Sequence, residues 1–353
     1  MPRAAGHSSQ RRASREIKTG NQLQHYVPRF LLRQFGSGKK DHVHVHDKHT
    51  GKSFSFSASK KSAIAVAAEY RMYDFEFAGE QITIEPGLAD LESQTAEFVV
   101  RLIREEKFDV DNPMERATLA AFLAVQMVRT RAVIEQSNDI MSRMKAWLEA
   151  QGGAPAGFFA PDPLVGDGEN ADKAMLARLI TNAVPEFAPV LVDKDWVLLR
   201  TDSKHPFLLG DHPFAMFNER DSGLRGNLGI GCEGIQIYFP LSPILALGLW
   251  CPSLRQECWN MVEALRQKSL RVELTADEVH GLKIATSAIE AIEGGTPLRI
   301  EPVSALHFNS LQVLSAERFV FGSTDDFSLV EKMVSGDPAL RRGRRLAEAT
   351  GKF

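Results

Sequence analysis

The chain has 353 residues, of which 44% are hydrophobic and 25% charged. That is ordinary globular usage, long enough for about two small domains or one large one, and it excludes collagen-like, wholly disordered and disulfide-stapled classes. The formal charge of −3 is an average over unlike parts: residues 1–20 hold five basic and one acidic residue, residues 332–353 hold six and two, and the body at 21–331 is left with −11.

The first 20 residues carry Arg and Ser without an apolar run, so they read as a disordered basic tail, not a secretory signal. A short helix follows Pro28, with Leu31, Leu32 and Phe35 on one face and Gly36 at its end. His25 sits just before it. HVHVHDKHTGKSFSF alternates Val43 and Val45 against His42, His44 and His46 across a turn at Asp47 to Gly51, which predicts a hairpin. The imidazole row is either a metal-facing set or, more simply, the solvent face of a half-buried strand.

From Leu88 to Lys107 a helical stripe of Leu88, Leu91, Phe98, Val99, Leu102 and Ile103 encloses Glu92, a carboxylate that needs a partner. The next helix opens on Asn112, Pro113 and Glu115, the pattern of a capping box, and runs on through Val133 and Ile134. Gln126 lies on its apolar face and Arg129 at the flank. Glu92 and Arg129 form either one structural ion pair between two helices, bridged by Gln126, or an anion site in which Arg129 anchors, Gln126 orients the substrate or a water and Glu92 fixes the guanidinium or acts as base.

Residues 151–170, rich in Gly and Pro, predict a loop or lid, followed by a helix over 171–184. Strands are expected at Trp196 to Arg200, Phe207 to Leu209, Ile235 to Phe239 and Ile244 to Trp250. Helices are expected at Thr275 to Ile292 and Ser304 to Ala316, and a last strand at Arg318 to Phe321. Helices and strands are segregated, which indicates an α+β fold: a mostly antiparallel mixed sheet packed with long helices in a single large domain over 21–331, then a basic C-terminal tail over 332–353. Asp211 follows a strand in FLLGDHPF, where it either caps peptide N–H groups or serves as acid, base or metal ligand.

Cys232, Cys251 and Cys258 lack CxxC spacing and suit a reducing cytoplasm. The longest unbroken apolar run, Ile244 to Cys251, is too short to span a bilayer, so no membrane contact is expected. Dinucleotide, P-loop, GxSxG and HExxH motifs are absent.

In order along the chain, QHYVPRFLLRQF, VHVHDK, Tyr73, QMVRT, WVLLR from Trp196, FLLGDHP, FPLSP from Phe239 and FNSLQVLSAERFVF resemble the DUF4238 family, a bacterial domain of unknown function, over about Gln24 to Phe321. The resemblance places a polar signature on His25, Glu92, Gln126, Arg129, Asp211 and Asn309. Many members carry Asn where this chain has His212, which argues against His212 as an essential acid or base. The combined expectation is a cytoplasmic hydrolase acting on a phosphate-containing substrate, nuclease-like in character. Its catalytic groups would be His25, Glu92 and Asp211, its substrate-binding groups Gln126, Arg129 and Asn309, with or without a divalent metal. The competing expectation is a non-catalytic module that binds a small ligand or nucleic acid within a multi-protein system, its basic tails supplying affinity.

Overall fold

Alternating apolar residues and helix-start signals divide the polypeptide into sheets and helices that share one main core. The computed structural model describes residues 23–38, 41–58, 66–220 and 227–345; the N-terminal tail expected at 1–20 lies outside them. β1 (Leu23–His25) leads through Pro28 into α1 (Arg29–Gln34). β2 (His42–Asp47) and β3 (Lys52–Ser57) form the expected hairpin, with Asp47 opposite Lys52 and Val43 and Val45 fully buried. β4 (Ala68–Tyr70) pairs antiparallel with β1, and β5 (Asp74–Phe77) with β6 (Glu80–Thr83).

Then come α2 (Glu85–Glu105), α3 (Pro113–Val128), α4 (Arg131–Ala150) and α5 (Gly168–Val192). Asn112 caps α3 by accepting from the Glu115 peptide N–H at 3.1 Å, but only half of the expected capping box forms. The Glu115 carboxylate is buried and pairs with Arg101 instead. The helix expected to run on through Ile134 breaks at Arg129 and Thr130, and α3 and α4 meet at a bend of 47°. α5 is longer than the 171–184 expected, continuing through Pro185 and Pro189 with Ala188 and Leu191 buried. Tertiary burial outweighs the backbone hydrogen bonds that its prolines remove. By length and hydropathy α5 could cross a membrane; here it lies along α3, with Leu176, Ala177, Ile180 and Ala183 buried.

The second half supplies β7 (Asp195–Arg200), β8 (Leu209–Gly210), β9 (Ala215–Phe217), β10 (Gln236–Ser242), β11 (Leu245–Trp250), α6 (Pro252–Ser269), α7 (Ala276–Gly294), β12 (Leu298–Arg299), α8 (Pro302–Ser315), β13 (Phe319–Gly322) and α9 (Ser328–Gly336). Two principal sheets result, in orders β12-β7-β11-β10-β9 and β3-β2-β13-β8. Their pairings are antiparallel apart from β12 beside β7. The fold is α+β.

Strand alternation explains why the five-stranded sheet has two covered faces. Ile237, Phe239 and Leu241 of β10 and Leu245, Leu247 and Leu249 of β11 enter the main core with α1, α2, α3 and α5. Tyr238 and Ala246 face a second cluster that includes Ala291 and Ile292 of α7 and Ala305 and Phe308 of α8. The C-terminal tail expected from 332 is corrected: α9 continues to Gly336, and Arg345, 4% exposed, forms a two-pronged pair with Glu317 at 2.7 and 2.9 Å. Residues 346–353 lie outside the described part.

Gly295 ends α7 at φ 65°, and its carbonyl accepts from the Phe108 peptide N–H at 2.7 Å. A Cβ there would collide with the Phe108 carbonyl. Gly295→Ala therefore combines left-handed strain with a backbone clash, and urea denaturation should show a loss of about 2 kcal/mol or more. Wild-type stability in this variant would disprove the close approach.

Candidate functional site

Arg129 occupies the break between α3 and α4. Its peptide N–H still bonds to the Val125 carbonyl at 3.0 Å, but its own ψ is 0° and Thr130 is extended, so the helix cannot continue in line. The break turns the side chain into the protein, where it is 1% exposed. Its Nη1 donates to Glu92 Oε1 at 2.6 Å, Nη2 to the His25 carbonyl at 2.7 Å and Nε to the Tyr73 hydroxyl at 3.2 Å. The Tyr73 hydroxyl donates back to the Arg129 carbonyl at 3.2 Å, and the guanidinium carbon lies 5.4 Å from the Tyr73 ring centre. Burial opposes the charge, yet Tyr73 and Glu92 outweigh it and hold the guanidinium pKa above its usual range.

Gln126 does not bridge Glu92 and Arg129 as the sequence suggested. Its Nε2 donates to the Tyr26 carbonyl at 2.8 Å, so Gln126 and Arg129 together fasten the consecutive carbonyls of Tyr26 and His25. Its Oε1 is buried with no hydrogen-bond partner. Tyr73 is fixed in turn by Gln24, whose Oε1 accepts from the Tyr73 peptide N–H at 2.7 Å and whose Nε2 donates to Asp74 at 2.9 Å.

His25 is part-buried at the end of β1, and its pKa is pushed down to about 4, first by burial and then by Arg29 and Arg129. Glu92 keeps 26% of its side chain exposed, so solvent reaches the cluster from the α2 side. Glu85, the first residue of α2, was missed because the apolar stripe begins only at Leu88. The acid before Pro86 was the available signal for an earlier helix start. Burial pushes the Glu85 carboxyl up to about 7, with Arg129 opposing the rise and Glu92 and Asp74 adding to it.

Asp211 and Asn309, expected as catalytic and substrate-binding groups, bond to backbone in a different assembly and share no hydrogen bond with Arg129. Asp211 is 1% exposed. It accepts from the peptide N–H groups of Glu317 at 2.7 Å and of Arg318 and Phe319 at 3.0 Å, capping the turn between α8 and β13. Burial pushes its pKa up to about 6 despite those three donors and the nearby Lys48 ammonium. Asn309 accepts from the Leu208 N–H at 2.8 Å and donates to the Pro206 carbonyl at 2.9 Å. One turn later Gln312 does the same for Gly210 and Pro213, at 2.9 and 3.0 Å. Lys48, fully buried, donates to the Val313 and Ala316 carbonyls at the end of α8, at 2.7 and 2.6 Å. These polar groups satisfy backbone, the plainer of the two readings of Asp211.

Among the described residues, no group of three His, Cys, Asp or Glu side chains is placed to hold a metal ion. The His42, His44, His46 row is not such a set: His42 is exposed, whereas His46 is buried with Nδ1 3.0 Å from the Ser53 hydroxyl.

His212 joins the two assemblies through Nδ1, 2.6 Å from the Thr130 hydroxyl. Burial pushes its pKa down to about 4, so the fold favours the neutral ring; the stability it contributes is present above pH 6.5 and is lost as pH falls toward 4. His212→Asn removes that dependence. Between pH 7 and pH 5 the wild type should lose about 1–2 kcal/mol more unfolding free energy than the variant. Parallel pH profiles would show that His212 titrates alike in the folded and unfolded chains.

A family model described as "Protein of unknown function (DUF4238)" matches residues 23–326. No curated protein and no solved structure matches the chain. With the match covering all but the two ends, the chain belongs to the DUF4238 family.

Proposed function

We propose that this protein is a cytoplasmic hydrolase acting on small phosphate-containing substrates at the cluster of His25, Glu92 and Arg129. The observation that carries the reading is His25 itself, a part-buried imidazole under the influence of both Arg29 and Arg129. With a pKa near 4 it is unprotonated at neutral pH and free to take a proton from an attacking water. The two guanidinium charges that depress its pKa are also the charges that attract phosphate oxygens. A bound anion offsets them, so His25 becomes a stronger base once substrate arrives. Glu92, tied to Arg129 through one oxygen, fixes the guanidinium and lines the solvent-facing side.

The −11 body favours a small phosphate ester over a polynucleotide, which it would repel outside the local site. Three unpaired cysteines support a reducing compartment. A second reading, ligand binding without turnover, is favoured by the saturation of Arg129: each of its three nitrogens already donates to a protein group.

The test is His25→Gln, assayed with p-nitrophenyl phosphate, bis-p-nitrophenyl phosphate and nucleoside monophosphates. The wild type should turn over at least one of them, the variant about 100-fold or more slowly, with its melting temperature little changed. Inorganic phosphate should raise the His25 pKa seen by NMR. Undiminished turnover in the variant would sink the assignment of His25 as base; a phosphate response without turnover of any ester would establish the binding reading instead.

A further inference from the structure

We propose that Glu85 is the general acid of this site, donating the proton that the leaving group needs. The inference rests on the hydrolase reading above and adds the half of the proton inventory that His25 cannot supply. Glu85 is placed by three local contacts. The Ile84 peptide N–H donates to the Tyr73 carbonyl at 3.2 Å, the Glu85 N–H donates to the Thr83 hydroxyl at 3.3 Å, and that hydroxyl donates to Asp74 at 2.6 Å. These anchor the first turn of α2 against the residue whose ring and hydroxyl meet Arg129.

Glu92 follows seven residues later, two turns along and on the same helix face, and the Arg129 charge acts on Glu85 as well as bonding Glu92. Their surroundings differ. Glu92 has a 2.6 Å bond to Arg129 and access to solvent. Glu85 buries Oε2 with no hydrogen-bond partner at all.

An ionised carboxylate with a buried, unpartnered oxygen is costly, and protonation relieves that cost. The groups facing it are Arg129 from the end of α3, Glu92 from α2, Asp74 from β5 and the Tyr73 phenol. Burial with the two neighbouring acids outweighs Arg129, and the pKa near 7 keeps a large share of Glu85 protonated at neutral pH. Two carboxyl groups held in unlike environments, Glu92 paired with Arg129 and Glu85 with a buried, unpartnered oxygen, are the arrangement that lets one of them act as proton donor in a site that also binds anions.

The step balances. Water attacks phosphorus as His25 takes one of its protons, the phosphorus–oxygen bond to the leaving group breaks, and that oxygen takes the Glu85 proton. Product release leaves His25 protonated and Glu85 ionised, and proton exchange with solvent restores both. A protonated Glu85 also spares the incoming phosphate a second negative charge.

The experiment compares the wild type with Glu85→Gln on two monoesters, p-nitrophenyl phosphate, whose leaving group departs readily as an anion, and phenyl phosphate, whose leaving group does not. Loss of a general acid should slow phenyl phosphate about 100-fold and p-nitrophenyl phosphate by less than about 10-fold. It should also remove a decline in wild-type rate above about pH 7. Carboxyl NMR of the wild type should show Glu85 titrating near pH 7. Equal losses on both esters, a retained alkaline decline, or titration near pH 4.5 would overturn the role of Glu85 while leaving the hydrolase reading standing. Absence of wild-type turnover on both, and on bis-p-nitrophenyl phosphate and the nucleoside monophosphates as well, would instead remove the hydrolase reading, and the acid role with it.

Discussion

A guanidinium cannot shed its proton to escape burial, so wherever the chain encloses one it must also supply acceptors. Arg129 imposes that requirement on three separate segments. The break after α3 directs the side chain inward, Tyr73 returns a hydrogen bond to the Arg129 carbonyl, β1 presents the His25 carbonyl, and α2 presents Glu92. Gln126, one turn earlier, holds the next carbonyl of the same β1–α1 connection. The candidate site therefore follows from satisfying one buried charge: the hydrogen bonds that satisfy Arg129 are those that bring His25 and Glu92 around it, and α2 carries Glu85 with Glu92.

The assembly centred on α8 contains the same residue types and does something else. Asp211, Asn309, Gln312 and Lys48 direct their polar atoms at peptide groups, closing the turn into β13 and fastening the segment from Pro206 to Pro213. The separating criterion is the partner. A buried carboxylate both of whose oxygens accept from peptide N–H groups is committed to the backbone, whereas one with an unpartnered oxygen is not. Tyr26 lies between the two assemblies, with Asp211 and Tyr73 both acting on its phenol, and His212 meets Thr130 directly. The α8 clamp and the Arg129 cluster thus share a boundary, and changes on the α8 side will alter how rigidly the Arg129 side is held.

Much of this was legible in the sequence where periodicity or turn chemistry was strong. The β2–β3 hairpin, the Asn112 start of α3 and the inward placement of Gln126 follow from spacing alone. The α3–α4 break did not, because Met127 to Thr130 contains neither Gly nor Pro and the apolar pattern resumes at Val133 and Ile134. α5 was cut short for the opposite reason, since its prolines signal a stop that packing overrides. Glu85 escaped notice because nothing local marks a carboxylate as buried: its environment comes from α3 and β5, elements distant in sequence. Asn309 and Asp211 stood out as polar residues in apolar surroundings, but only their distances to backbone decide between clamp and catalyst.

If Arg129 organises the site, its pairing with Glu92 must carry energy beyond the separate contributions of the two residues. A double-mutant cycle with Arg129→Gln and Glu92→Gln, followed by urea unfolding at low salt, measures that directly. The partial exposure of Glu92 limits the expected coupling to about 1 kcal/mol in favour of the pair. Effects that add within about 0.3 kcal/mol would contradict the central place given to this ion pair.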